Sequence, residues 1–228
     1  MADHRHDGHR RRMRERFLKS NLYSFQPHEM LEMLLFHAIP RSDTNPVGHA
    51  LLDRFGSLHG VLSAEPTALR SVPGMTDNAV VMILFLRQFY AEAVSEHFTG
   101  RPVDSFGAAK AFFQQIYAFE ANEVLRVLFL DESLCIRRMA TLREGFQNAV
   151  SVPVRQVSEL CFAEHSRTIV LAHNHPGCAC APSAEDIAVT RHLVKVFRGM
   201  EIDLTDHIIV GSDGARSLRE DGIFLGLD

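Results

Sequence analysis

The sequence predicts an α/β (α+β) protein: a small all-α N-terminal domain followed by a mixed C-terminal one. Three observations predict it. Residues 9–97 place apolar side chains at helical spacing and contain no convincing strand. HFTGRPVD, residues 97–104, interrupts that pattern with Gly100 and Pro102. After it, runs rich in Val and Leu alternate with amphipathic stretches, which is the pattern of helices packed on a sheet. The expected domains are 1–98 and 104–228.

In order along the chain, PHEMLEMLLFHAI repeats apolar residues with a helical period. DTNPVGHALLDRF opens with capping residues and carries Pro46 where a first turn accepts it. The stretch from Ser57 to Val94 reads as two or three more helices, punctuated by Gly60, Pro66, Pro73 and Gly74. SFGAAKAFFQQIYAF has Ser105 as a cap and continues with helical spacing. EVLRVLFLD reads as a strand beginning at Glu123, and CIRRMATL as a second strand. PVRQVSELCFAEH reads as a helix, RTIVLAH as a buried strand, and 183–198 as a helix with Ile187, Leu193, Val194 and Phe197 inward. DHIIVGSDGARSL reads as a hairpin with Asp213-Gly214 as its turn signal.

Composition limits the function classes. With 46% hydrophobic and 23% charged residues, the chain has the make-up of an ordinary globular protein. No run of about 18 apolar residues suggests a membrane span, and the polar N-terminal stretch lacks an apolar signal core. The expected location is therefore the cytoplasm, with the cysteines reduced. Cys135 and Cys161 lie in apolar runs and read as small core residues. A net charge of −4 argues against a general nucleic-acid binder. The charge is uneven, because Arg10, Arg11, Arg12, Arg14, Arg16 and Lys19 crowd the N-terminal region. That stretch reads either as a solvated end or as an arm contacting phosphates.

The chemistry concentrates in LAHNHPGCACAPSAED, residues 171–186. His173 and His175 alternate on a strand, so both imidazoles share a face. Pro176 ends that strand, and the loop after it can return Asp186, in the first turn of a helix, beside them. Two imidazoles and a carboxylate with an open fourth position form a recognised catalytic zinc set. Water would fill that position, and its pKa falls to about 7 on the metal. Two other readings stay open at this level. Ser183-Ala-Glu-Asp186 is also a capping box, so Asp186 can simply serve its helix. Cys178 and Cys180 can compete as ligands, which would close the site as two His and two Cys. A zinc deaminase is excluded, since it needs H-x-E with P-C-x-x-C and the chain has neither.

His173-Asn-His175, seven residues, then Ser183-x-x-Asp186 resembles the JAMM (MPN-plus) metalloprotease signature. More closely, LAHNHP followed by PSAEDIAVTRHLV and LTDHIIVGSDGARSLRE resembles the RadC family. GHRRRMRERFLKS, HEMLEMLLFHAIPRSDTNP and LLDRFGSLHGVLSA are similar to its N-terminal helical region, so the resemblance covers nearly the whole chain. It implies a JAMM/MPN-type, cytidine-deaminase-like fold for the C-terminal domain. It also implies one Zn²⁺ per chain held by His173, His175 and Asp186, and hydrolysis of an amide or isopeptide bond in a protein or peptide substrate. By the same resemblance Glu123 is the acid/base group, with Glu120 as the neighbouring alternative, and Ser183 stabilises the oxyanion. The family carries a DNA-repair association.

Two stretches depart from the family pattern. HNHPGC stands where HNHPSG is common, which alters the loop at Gly177 and Cys178. VPVRQV, residues 152–157, stands where V-H-P-R-E-V is favoured. Neither change removes a ligand. LRSVPGMTDNAV resembles a helix-hairpin-helix turn with Thr76 in place of its second glycine. Such turns hold a DNA phosphate on free amides. Weak non-specific DNA binding through the N-terminal domain is thus one expectation, and a helical packing module is the other. The rival to the enzyme reading is a non-catalytic DNA- or partner-binding protein with a structural or vestigial metal site.

Overall fold

A computed structural model describes residues 4–144 and 152–226. The chain divides into two compact units, one ending at Phe89 and the other beginning at Tyr90. The division falls inside a long helix.

The N-terminal unit contains helices α1 (His4–Ser20), α2 (Pro27–Ala38), α3 (Asn45–Phe55), α4 (Leu58–Leu62) and α5 (Pro66–Arg70), and the start of α6 (Asp77–Phe98). A short 3-10 turn, Asn21–Ser24, follows α1. Leu35, Leu51, Val61, Leu69, Val80 and Ile83 form the fully buried centre of its core. Helices α2 and α3 approach so closely at Gly48 that a Cβ there would lie 2.7 Å from the His28 carbonyl oxygen, which only glycine avoids.

The basic N-terminal stretch is not a loose end, because it folds as α1 and buries Met13. Arg10 donates to the carbonyls of Ile39 at 3.0 Å and Ser42 at 2.7 Å, satisfying the chain as it leaves α2. Arg16 stacks 3.9 Å above the Phe25 ring and pairs with Glu29 at 2.8 Å. Arg11 and Arg12 remain exposed. At the hairpin-like turn, Thr76 caps α6 by accepting from the Ala79 amide at 3.2 Å, and Asp77 pairs with Arg70. Among the described residues, no helix is long and apolar enough to cross a membrane.

The C-terminal unit is a three-layer structure. Its sheet contains β1 (Val124–Leu130), β2 (Ile136–Glu144), β3 (Thr168–Asn174), β4 (Asp203–Gly211) and β5 (Gly214–Ser217), in the order β2-β1-β3-β4-β5. Only β3 and β4 run parallel. Helix α9 (Ala184–Arg198) is their crossover, α8 (Val154–Ala163) lies between β2 and β3 in sequence, and α7 (Phe106–Ile116) precedes β1. Leu125, Val127, Ile169, Leu171 and Ile209 face α8 and α9, where they meet Val157, Leu193 and Phe197. Val124, Leu128, Val170, Ala172 and Ile208 face α7 and pack on Phe112 and Phe113. A fully buried side chain of this size contributes about 1.5–3 kcal/mol. Burial on both faces explains why β1 reads as a continuous apolar run rather than an alternating one.

Three details differ from the sequence reading. The first strand begins at Val124, leaving Glu123 just before it. The loop of the β4–β5 hairpin is Ser212-Asp213, because Gly214 already pairs with Gly211. Cys161 is buried as expected, whereas Cys135 is only half-buried beside the tight turn that Asp131 caps.

Candidate metal centre

The site lies where β3 ends and α9 begins, outside the carboxyl ends of the two parallel strands, which is where open α/β sheets place ligands. His173 is the penultimate residue of β3 and is 4% exposed. His175 leaves the strand but stays anchored, because its amide donates to the Val210 carbonyl at 2.8 Å. The loop from Pro176 to Pro182 then lies across Gly211, where a Cβ would come within 2.2 Å of the Cys180 nitrogen. Asp213 receives the Cys180 amide at 2.7 Å, and the Ser212 amide donates to the Cys178 carbonyl at 2.7 Å. These contacts fix the loop's return path and deliver Asp186, 3% exposed, into the first turn of α9.

The three side chains converge. His173 Nε2 is 3.0 Å from His175 Nε2 and 3.3 Å from Asp186 Oδ1, and His175 Nε2 is 3.7 Å from Asp186 Oδ2. Tetrahedral zinc with bonds near 2.0–2.1 Å places its ligand atoms about 3.3 Å apart, so the three fit one small ion. His175 turns Nε2 toward the other two residues, because its Nδ1 lies 3.2 Å from the Ala179 carbonyl and only an N–H can make that contact. Among the described residues, His173, His175 and Asp186 are the group that can hold a metal ion, and neither Cys178 nor Cys180 belongs to it.

Asp186 is held as a carboxylate. Burial pushes it up, but the His173 ring beside Oδ1 and the Ser183 hydroxyl and amide, which donate to Oδ2 at 2.7 and 2.8 Å, outweigh burial and hold it well below the ordinary carboxylate value. Ser183 is the cap of α9: its hydroxyl accepts from the Asp186 amide at 3.1 Å and donates to Asp186 Oδ2 at 2.7 Å. The capping box and the ligand set therefore coexist. One carboxylate oxygen serves the box while the other lies against His173.

Glu123 is half-buried immediately before β1. Leu125 pairs with His173, so extending the register by two residues places Glu123 opposite His175, on the histidines' face of the sheet. Asn174 holds this segment in place, accepting from the Val124 amide at 2.8 Å and donating to the Asn122 carbonyl at 2.9 Å. Glu120 pairs instead with Arg126, which lies on the α7 face with Val124 and Leu128.

Sequence reasoning missed Asn174, Thr190, His207 and Gly211. His207, on β4, is fully enclosed and lies 2.8 Å from His173 Nδ1. Burial first, then the neighbouring His173, pushes it down to about 3, so it is neutral at pH 7. A histidine inside the apolar run of DHIIVG was the available signal. Residues 103–223 match the family model of the RadC-like JAB domain. That match spans more than half of the chain and contains the whole His-His-Asp group, so the protein belongs to the RadC-like JAB domain family.

Proposed function

We propose that the protein is a zinc-dependent amide hydrolase acting on a peptide or isopeptide bond, with His173, His175 and Asp186 holding one Zn²⁺. The observation that carries the reading is the convergence of three buried or half-buried lone-pair donors at separations suited to one tetrahedral ion. When bound, the ion supplies Lewis acidity, which polarises a carbonyl and makes water more acidic.

The chain's own groups do the rest. Asp186 and the two imidazoles would hold the ion. Glu123, on the same face, takes a proton from the attacking water and returns it to the leaving amine. Ser183 orients Asp186 through its hydroxyl. The oxyanion role that the family resemblance assigns to Ser183 requires that same hydrogen to turn toward substrate. Pairing of His173 with Ile209 and the His175 amide bond to Val210 hold the ligand backbones in place before substrate arrives.

Mass spectrometry of protein purified without chelators tests the reading. We expect about one zinc per chain, lost in a folded His175→Ala/Asp186→Ala variant. Glu123→Gln should keep the metal while cleavage of a peptide and isopeptide panel falls by about 10²–10⁴-fold. A wild-type chain that takes up no zinc on incubation would sink the proposal.

A further inference from the structure

Two buried polar residues beside the centre have no part in the reading above. His207 is 2% exposed in the middle of β4, and Thr190 on α9 is wholly buried. Together they join two of the metal-holding residues. His207 Nε2 lies 2.8 Å from His173 Nδ1, and His207 Nδ1 lies 2.7 Å from the Thr190 hydroxyl. That hydroxyl lies 2.6 Å from the main-chain oxygen of Asp186.

The last contact sets the direction of every proton in the row. A carbonyl oxygen carries no hydrogen, so an O···O approach of 2.6 Å requires Thr190 to donate. Its single hydrogen is then committed, and toward His207 it can only accept. His207 must carry its proton on Nδ1, and the neutral ring leaves Nε2 bare. That bare nitrogen accepts from Nδ1–H of His173, which leaves Nε2, facing Asp186 and His175, as the nitrogen available to ligate. The reverse polarity would put the hydrogen on His173 Nε2, and a protonated nitrogen cannot ligate.

We propose that Thr190 and His207 form a positioning relay that fixes the tautomer and ring orientation of His173 and ties them to the main chain of Asp186. The proposal rests on the metal reading above and deepens it. With an ion held by Asp186 and His173, the relay would close a ring through His207 and Thr190 back to the Asp186 carbonyl. Helix α9 thereby contributes twice, with a ligand in its first turn and the relay hydroxyl one turn later. Strand pairing fixes the backbone of His173 against Ile209, but it does not choose which ring nitrogen carries hydrogen. The relay makes that choice. Partners of this kind are worth about 10–100-fold in metal affinity.

The test uses the 228-residue chain with ¹⁵N-labelled histidine. Long-range ¹H–¹⁵N spectra of the metal-free protein read the tautomers directly. Zinc affinity is measured by competition with a chromophoric chelator. We expect Nδ1–H at both His173 and His207 in the wild type. Thr190→Val should mix the tautomers and weaken zinc binding by about 10–100-fold, and Thr190→Ser should restore both readouts. Hydrogen on Nε2 of His207 or His173 in the wild type would overturn the relay, as would wild-type zinc affinity in Thr190→Val. A wild type that binds no zinc overturns the metal reading instead, and the tautomers still decide the relay.

Discussion

In each unit of the chain a buried carboxylate faces a histidine ring, Glu32 in one and Asp186 in the other, and these two are satisfied in opposite ways. In the helical unit Glu32, 3% exposed, accepts from Asn45 Nδ2 at 2.8 Å and contacts His9 Nε2 at 2.7 Å. Both partners can bring hydrogen, and His9 keeps 46% of its side chain in solvent. In the mixed unit Asp186 is also 3% exposed; Ser183 donates to one of its oxygens, while the other faces the His173 ring, whose Nδ1 is engaged by His207. Glu32 closes a polar knot that needs nothing further. The other oxygen of Asp186 joins the two imidazole nitrogens in a group that can hold a cation. Burial and residue type do not separate a structural carboxylate from a ligand; what separates them is which neighbouring atoms carry hydrogen.

The largest expected effect breaks that contrast directly. Asp186→Asn keeps the shape and the capping oxygen but removes the charge. Zinc at about 1,000 times its Kd should stabilise the wild type by about 4 kcal/mol and the variant by nothing measurable. Thermal melts with and without zinc read this, and an equal upward shift in both proteins would refute the ligand assignment. Glu32→Ala should behave in the opposite manner. Losing two hydrogen bonds to a buried carboxylate should cost about 2–3 kcal/mol of stability in urea. Zinc should then stabilise Glu32→Ala as much as it stabilises the wild type. Dependence of the Glu32→Ala penalty on zinc would mean that the two carboxylates are not independent.

The elements were largely legible because their signals are local. Ser105, Pro27 and Ser183 mark helix starts, and the VLRVLFL and TIVLAHN runs mark buried strands. His173, His175 and Asp186 were legible for the same reason, since strand alternation and one short loop bring them together. What failed to show depends on partners far along the chain. His207 meets His173 across 34 residues through a parallel register that no local pattern encodes. Thr190 reads as an indifferent helix residue until His207 is placed beside it. The basic stretch at Arg10–Lys19 reads as solvated charge, because cation–π stacking on Phe25 and carbonyl capping at Ile39 are tertiary events. The turn was misplaced by one residue because the Asp-Gly signal does not show that Gly214 already pairs with Gly211 across the strands.

The smallest expected effect sharpens the contrast within the mixed unit, between holding the ion and doing the chemistry. Asn174 lies between the two histidines in sequence yet is outside the metal-holding group, and its amide instead binds the strand head on either side of Glu123. Asn174→Ala removes two neutral hydrogen bonds, so stability should fall by only about 1–2 kcal/mol. Zinc affinity should stay within about threefold of wild type, because His173 and His175 keep their Nδ1 partners and backbone pairing. Cleavage should fall much further, by a factor of about 10–100, because a small displacement of the acid/base group is costly at that distance from the reacting atoms. If zinc affinity fell as far as activity, Asn174 would be supporting the histidines rather than Glu123. If neither changed, the β1 head would hold its position without the side chain, and the placement of Glu123 would rest on strand register alone.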